Sequence, residues 1–181
     1  PESAMGFWQS KLRYRTQEEL LGVAREYRRR GLPLSVIVID FYHWTKFGDW
    51  KFDPAYWPDP VGMVRELRDM GVEAAVSVWP SVEVSSENFA EMLDRGYLVQ
   101  VDTGVRLSMR SADWTIFFDA TNPQARQYVW EKCKKSYYDA GIPYLWLDAA
   151  EPQYPSWLNY GAQSYRYQLG PHPVVGNLYP Q

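Results

Sequence analysis

The stretch "IPYLWLDAAEP", Ile142 to Pro152, decides how the rest of the chain is read. From Tyr144 to Leu147 it is an apolar and aromatic run with the length and composition of a buried strand. It then stops abruptly on two carboxylates, Asp148 and Glu151, followed by Pro152 and Pro155. A strand that is apolar without alternation is covered on both faces, and such strands belong to parallel sheets flanked by helices.

The segments before it repeat the same grammar. Thr16 and Glu19 form a capping box, and Leu20, Ala24 and Tyr27 share one helical face before Gly31 ends the run and "LPLSVIVID" leads to Asp40. Asp59 and Pro60 supply an N-cap and an N1 proline, Val64 and Leu67 lie on one face, and Gly71 precedes "VEAAVSVWP". Asn122 and Pro123 begin a third helix through Val129 and Cys133, and Gly141 ends it before the opening stretch. Helix, glycine, apolar strand and polar or aromatic exit thus recur three times, and "AMGFWQS" supplies a fourth strand ahead of the first helix.

Such units build either a doubly wound sheet or a (β/α)8 TIM barrel. The barrel is favoured because no glycine-rich phosphate loop follows the first strand and because the unusual residues gather at strand C-termini, where barrel enzymes keep their chemistry. A barrel takes about 250 residues, so the 181 residues here are expected to form one partial domain, 1–181, holding about the first four βα units of a half-barrel.

Composition excludes several classes. An apolar content of 46% with net charge −3 describes a globular chain with neither a basic surface for nucleic acid nor an acidic tail. No apolar run reaches membrane-spanning length. The single Cys133 allows no internal disulfide and fits a reducing compartment, which favours the cytoplasm. Aromatic side chains make up 17%, with nine Trp and fourteen Tyr, a supply that suits cores, interfaces and sugar-binding clefts alike.

The strand exits carry the candidate chemistry. Asp40 opens a loop thick with rings, "FYHWTKFGDWKFDPAYW", and reads either as a cap or loop-ordering acid or as a carboxylate that bonds sugar hydroxyls beside stacking aromatics. Trp79 repeats the arrangement at the next exit, or packs between loops. Asp148 reads as a glycosidase nucleophile, a metal ligand or a structural acid. Metal binding is poorly supplied, with only His43 and His172, no HExxH and no cysteine pair, so neither a metal nor another cofactor is expected. Serine or cysteine nucleophile chemistry has no GxSxG, and Cys133 falls within a helix.

Taken together, "GFWQSKLRY", "LPLSVIVIDFYHW", "FDPAYWPDPVGMVRELRDMGV", "VSVWPSV", "FFDATNPQAR" and "WLDAAEP" resemble, in order and spacing, glycoside hydrolase family 31, the α-glucosidases and α-xylosidases. The resemblance covers nearly the whole chain, and "WLDAAEP" is similar to the W-x-D-x-x-E pattern around that family's catalytic aspartate. It implies a (β/α)8 barrel that cleaves α-glycosides with retention. Asp148 would then be the nucleophile and Glu151 a supporting acid, Asp40 would bond the sugar, and Phe41, Tyr42, Trp79 and Trp146 would line its subsite. Asp119 in "FFDATNP" would be structural. The general acid of the family lies on a later strand, and no segment of this chain matches it.

The resulting expectation is a glycosidase in the complete parent protein, acting on an oligosaccharide or α-glycoside, with the 181-residue chain alone inactive and held by the rest of its barrel or paired with a second copy. The alternatives are a noncatalytic carbohydrate-binding or assembly module derived from such a barrel, and a sugar-processing lyase or transferase.

Overall fold

The computed structural model describes residues 2–101, 109–110, 114–151 and 164–180. In chain order the elements are α1 (Glu2–Met5), β1 (Trp8–Gln9), α2 (Gln17–Arg29), β2 (Val36–Ile39), α3 (Pro60–Asp69), β3 (Glu73–Val78), β4 (Ser81–Glu83), α4 (Phe89–Asp94), β5 (Gln100–Val101), β6 (Met109–Arg110), β7 (Trp114–Phe117), α5 (Pro123–Cys133) with a π-helical continuation (Lys134–Tyr138), β8 (Tyr144–Leu147), β9 (Tyr165–Tyr167), β10 (Gly170–Pro171), α6 (His172–Val175) and a 3-10 turn (Gly176–Leu178). They form two compact units. The first comprises Pro1–Thr45, Trp50–Val78 and Lys132–Leu147, and the second Lys46–Asp49, Trp79–Glu131 and Asp148–Gln181.

The first unit is the half-barrel. Its sheet is parallel, in the order β1-β2-β3-β8. Local signals in the sequence explain each helix. Thr16 Oγ1 accepts from Glu19 N at 3.1 Å, while the Glu19 carboxylate turns back to Arg15 N at 2.7 Å, one residue earlier than a capping box requires. Asp59 Oδ1 accepts from Gly62 N at 2.8 Å beside Pro60 at the first helical position. Leu20, Leu21 and Ala24 of α2 and Met63, Val64 and Leu67 of α3 are buried, α2 packing on β2 and α3 on β3. Each of the buried Leu, Val and Met side chains among these contributes about 1.5–3 kcal/mol.

Register then fixes what lies on the other face of the sheet. Val38 pairs with Ala75 and Ala75 with Tyr144, so these three form one layer, and Trp8 with Val36 forms the layer below. A strand alternates faces with period two. The next residues on this face are therefore Asp40, Ser77 and Trp146, and two residues beyond Ser77 and Trp146 come Trp79 and Asp148. β8 departs from the expected buried strand. Trp146 is 50% and Leu147 72% exposed, because among the described residues β8 pairs with β3 alone and nothing covers its last half.

The second unit holds two antiparallel three-stranded sheets, β4-β7-β6 and β10-β9-β5. Val99, Val101, Phe117, Tyr165, Tyr167, Val175 and Tyr179 form one core within it. Asp119 is buried and ties this unit together, accepting from Thr121 N (2.9 Å), Thr121 Oγ1 (2.7 Å) and Gln168 N (2.6 Å). Asn122 caps α5 by accepting from Gln124 N at 2.9 Å.

The segment Lys46–Asp49 is seated on β4 and the turn after it. Glu83 N donates to Phe47 O at 3.0 Å, Asn88 Nδ2 to Gly48 O at 2.8 Å, and Ser86 Oγ and Glu87 N to Asp49 Oδ1 at 2.8 and 3.0 Å. Gly48 is required at this crossing. Its φ is +85°, and an added Cβ would stand 2.9 Å from Val82 Cα and 2.7 Å from Val82 Cγ1. Gly48→Ala is therefore expected to destabilise by about 2 kcal/mol or more, through strained φ and overpacking together. Thermal melting of the full-length protein measures it, and an unchanged midpoint would contradict the seating described here.

Candidate active site

Trp79 follows the last residue of β3 and Asp148 the last residue of β8, and those last residues, Val78 and Leu147, are register partners. The two side chains meet. Trp79 Nε1–H donates to Asp148 Oδ2 at 3.1 Å. Phe47 backs the indole, with ring centroids 5.9 Å apart and planes inclined by 32°. Phe47 is buried and held through its own backbone by Glu83, whose carboxylate also pairs with Lys46 Nζ at 3.2 Å. One carboxylate oxygen of Asp148 is thus fixed by a donor fixed in turn, and Oδ1 accepts no hydrogen bond among the described residues. Ala149, the next residue, has φ +51°, a left-handed conformation that costs an L-residue about 1–2 kcal/mol and turns the chain sharply out of the sheet.

Asp40 occupies the corresponding place after β2. Its Oδ1 accepts from Phe41 N at 2.8 Å, and Oδ2 has no partner among the described residues. Phe41 and Tyr42 stack edge to face at 4.9 Å, Tyr42 is 44% exposed with φ +59°, and the Arg13 guanidinium lies 5.0 Å over its ring. Behind them His43 is buried. Its Nδ1 is 2.9 Å from Asp40 O and its Nε2 2.9 Å from Tyr137 Oη. Since a carbonyl only accepts, Nδ1 carries the proton and Nε2 accepts from the tyrosine. Burial pulls the His43 pKa down to about 4 against a partial offset from the Asp40 carbonyl, so the ring is neutral at neutral pH.

The structure thus brings Trp79 to Asp148 and keeps Asp40, Phe41 and Tyr42 as one exit. Trp146 lies on the sheet face that Tyr144 and Trp8 share, beside an apolar hollow of about 320 Å³ lined by Trp8, Ala75, Tyr144, Leu145 and Trp146. Glu151 is exposed and makes no hydrogen bond among the described residues. Burial pushes the Cys133 thiol up to about 12, which makes it inert as a nucleophile. No cluster among the described residues could hold a metal ion, and no helix among them is long and apolar enough to cross a membrane. Sequence reasoning missed Phe47 and the His43–Tyr137 pair. Phe47 sits in the quoted aromatic loop, but only its neighbour Gly48 hinted at a close crossing, and Tyr137 lies 94 residues from His43.

Similarity to known proteins extends over the whole chain. The model of the glycosyl hydrolases family 31 TIM-barrel domain matches residues 1–181. A protein of Pseudescherichia vulneris described as an uncharacterized family 31 glucosidase is 55% identical over 181 residues, covering 100% of this chain and 34% of that protein. Alpha-xylosidase A of Aspergillus niger is 34% identical across 99% of this chain and 26% of its own length. The crystal structure of a GH31 alpha-xylosidase from a soil metagenome complexed with xylose superposes with a TM-score of 0.93 at 56% identity, over 99% of this chain and 26% of that one. The chain therefore spans about a third or less of the length of these relatives.

The neutral His43 predicts how stability depends on pH. A histidine whose folded pKa is depressed contributes stability that is fully present above its unfolded value of about 6.5 and is lost as pH falls toward about 4, here on the order of 3 kcal/mol. Urea titrations between pH 6.5 and 4 should show that slope in the full-length protein and a shallower one in His43→Asn. Equal slopes in the two would contradict a buried neutral imidazole.

Proposed function

The chain belongs to glycoside hydrolase family 31, and from that premise we propose that it forms the nucleophile half of a partial catalytic domain, 1–181, in a retaining α-glycosidase of the α-glucosidase or α-xylosidase kind. The observation that carries the reading is the Trp79 hydrogen bond to one oxygen of Asp148 at the carboxyl ends of two paired parallel strands. In a barrel that end holds the chemistry.

With Oδ2 occupied by the indole N–H, Oδ1 is the oxygen that attacks the anomeric carbon. The bond to the leaving oxygen breaks as the Asp148 ester forms, and water then hydrolyses the ester with a second inversion, so configuration is retained. The proton delivered to the leaving group comes from a general acid outside these residues, since a retaining pair stands about 5–5.5 Å apart across the glycosidic bond. Two acids three positions apart on one strand exit do not flank such a bond, so the role of general acid is not assigned to Glu151, which keeps only the supporting place that the motif gives it. Asp40, through its unoccupied Oδ2, accepts hydrogen bonds from sugar hydroxyls, and Phe41, Tyr42 and Trp146 supply the apolar lining. The exposed apolar end of β8 supports pairing with the remainder of the parent barrel or with a second copy of the chain.

In the full-length protein, Asp148→Ala is expected to abolish cleavage of unactivated α-xylosides and α-glucosides while the fold persists. Azide should then rescue an aryl substrate and release a glycosyl azide of inverted configuration. Near wild-type turnover in this variant would overturn the assignment. Trp79→Phe keeps the ring on Phe47 and removes the N–H. Because a hydrogen bond to a charged group is worth about 1.5–3 kcal/mol, kcat should fall by about tenfold or more with a smaller change in KM. An unaltered kcat would show that Trp79 does not orient the nucleophile.

A further inference from the structure

We infer that His43 and Tyr137 form a buried latch that positions Asp40 for sugar binding, so that this neutral imidazole serves the subsite without touching the substrate. The inference rests on the reading of Asp40 as a sugar-binding residue.

The place of the latch is specific. β2 ends at Ile39, so the carbonyl of Asp40 is the first one past the ladder formed with β3. A backbone acceptor partly withdrawn from water, as this one is, costs free energy when it is left without a partner. His43 Nδ1–H supplies that partner from three residues on and closes the turn in which Asp40 sits. The other ring nitrogen reaches Tyr137 Oη in the π-helical continuation of α5, whose wider turn is marked by the Asp139 N to Lys134 O bond at 2.8 Å. The imidazole is wedged between Trp44, Phe52 and Tyr137 at ring-centroid distances of 4.8, 5.2 and 5.4 Å. Both ring nitrogens are engaged and rings stand on three sides, which together fix the orientation of the imidazole. His43 is tied down at its own carbonyl as well, by Asp53 N at 2.7 Å.

The consequence falls on Asp40. With its carbonyl held by His43 and its Oδ1 held by Phe41 N, the side chain has one remaining acceptor oxygen, aimed by a backbone that cannot rotate. An apolar residue in place of His43 would fill the same space and remove both the donor to that carbonyl and the ring nitrogen to which the tyrosine hydroxyl is bonded. A residue that acts only as a core plug predicts loss of stability alone; a latch predicts loss of sugar recognition that passes through Asp40.

The experiment is a double-mutant cycle in the full-length protein, read as kcat/KM for an α-xyloside or α-glucoside and as Kd for free xylose or glucose. Tyr137→Phe and His43→Asn are made with Asp40 present and in an Asp40→Ala background. With Asp40 present each should lower kcat/KM and weaken the sugar by about five- to tenfold, and in the Asp40→Ala background by less than about twofold. His43→Asn, whose amide nitrogen stands where Nδ1 does, should retain more recognition than His43→Leu. Equal losses in both backgrounds, or His43→Leu matching His43→Asn, would overturn the latch. If Asp40→Ala alone changes neither kcat/KM nor Kd, the sugar-binding reading of Asp40 fails, and the latch loses its purpose with it. Where a His43 variant does not fold, Tyr137→Phe decides the question alone.

Discussion

Parallel pairing in register ties Val38, Ala75 and Tyr144 into one layer of side chains, and a strand has no freedom to change face after that. Every later residue on those strands inherits its side of the sheet from this layer. Asp40, Ser77 and Trp146 follow two positions on, and Trp79 and Asp148 two positions after Ser77 and Trp146. The indole-to-carboxylate bond is the visible outcome: residues 69 apart in sequence stand 3.1 Å apart because their strands were already paired at Val78 and Leu147. A slip of one residue between β3 and β8 would turn Tyr144 and Trp146 to the helix side of the sheet.

Much of this was legible because it rests on local chemistry. The caps at Thr16, Asp59 and Asn122 and the left-handed glycines Gly31, Gly71 and Gly141 are written within a few residues of the ends they form. β2, β3 and β8 each start shortly after such a glycine, and an exit acid needs only the strand's end to be located. The antiparallel sheets of the second unit could not be read in the same way. Their strands have two to four residues, and their pairings join Ser81 to Phe117 and Val101 to Tyr165 across long intervals. No periodicity develops over so short a run. The π turn was illegible for a related reason: Lys134–Tyr138 continues the composition of α5, and only its distant partner His43 distinguishes it.

Burial at β8 shows a different limit. Apolar composition predicts what a strand can bury, while neighbours decide what it does bury. Tyr144 and Leu145 are half-covered beside β3, whereas Trp146 and Leu147 are exposed on opposite faces. An apolar surface left in water forgoes about 25 cal/mol per Å², so covering this edge with further protein surface would be favourable.

Strain at the exits completes the account. Ala149 beside Asp148 and Tyr42 beyond Asp40 both have positive φ without being glycine. Such conformations persist where the surroundings over-determine them. At Asp148 the determination comes from Trp79, Phe47 and the crossing at Gly48; at Asp40 it comes from Phe41 N and His43. In both cases the acid has one oxygen fixed and the other without a partner among the described residues, and the group that fixes it is a half-buried indole at Asp148 and a backbone N–H at Asp40. In the roles proposed for Asp40 and Asp148, a carboxylate held in that way would meet a sugar hydroxyl or an anomeric carbon with little reorganisation, and the strain in the backbone beside it is the conformational counterpart of that fixed geometry.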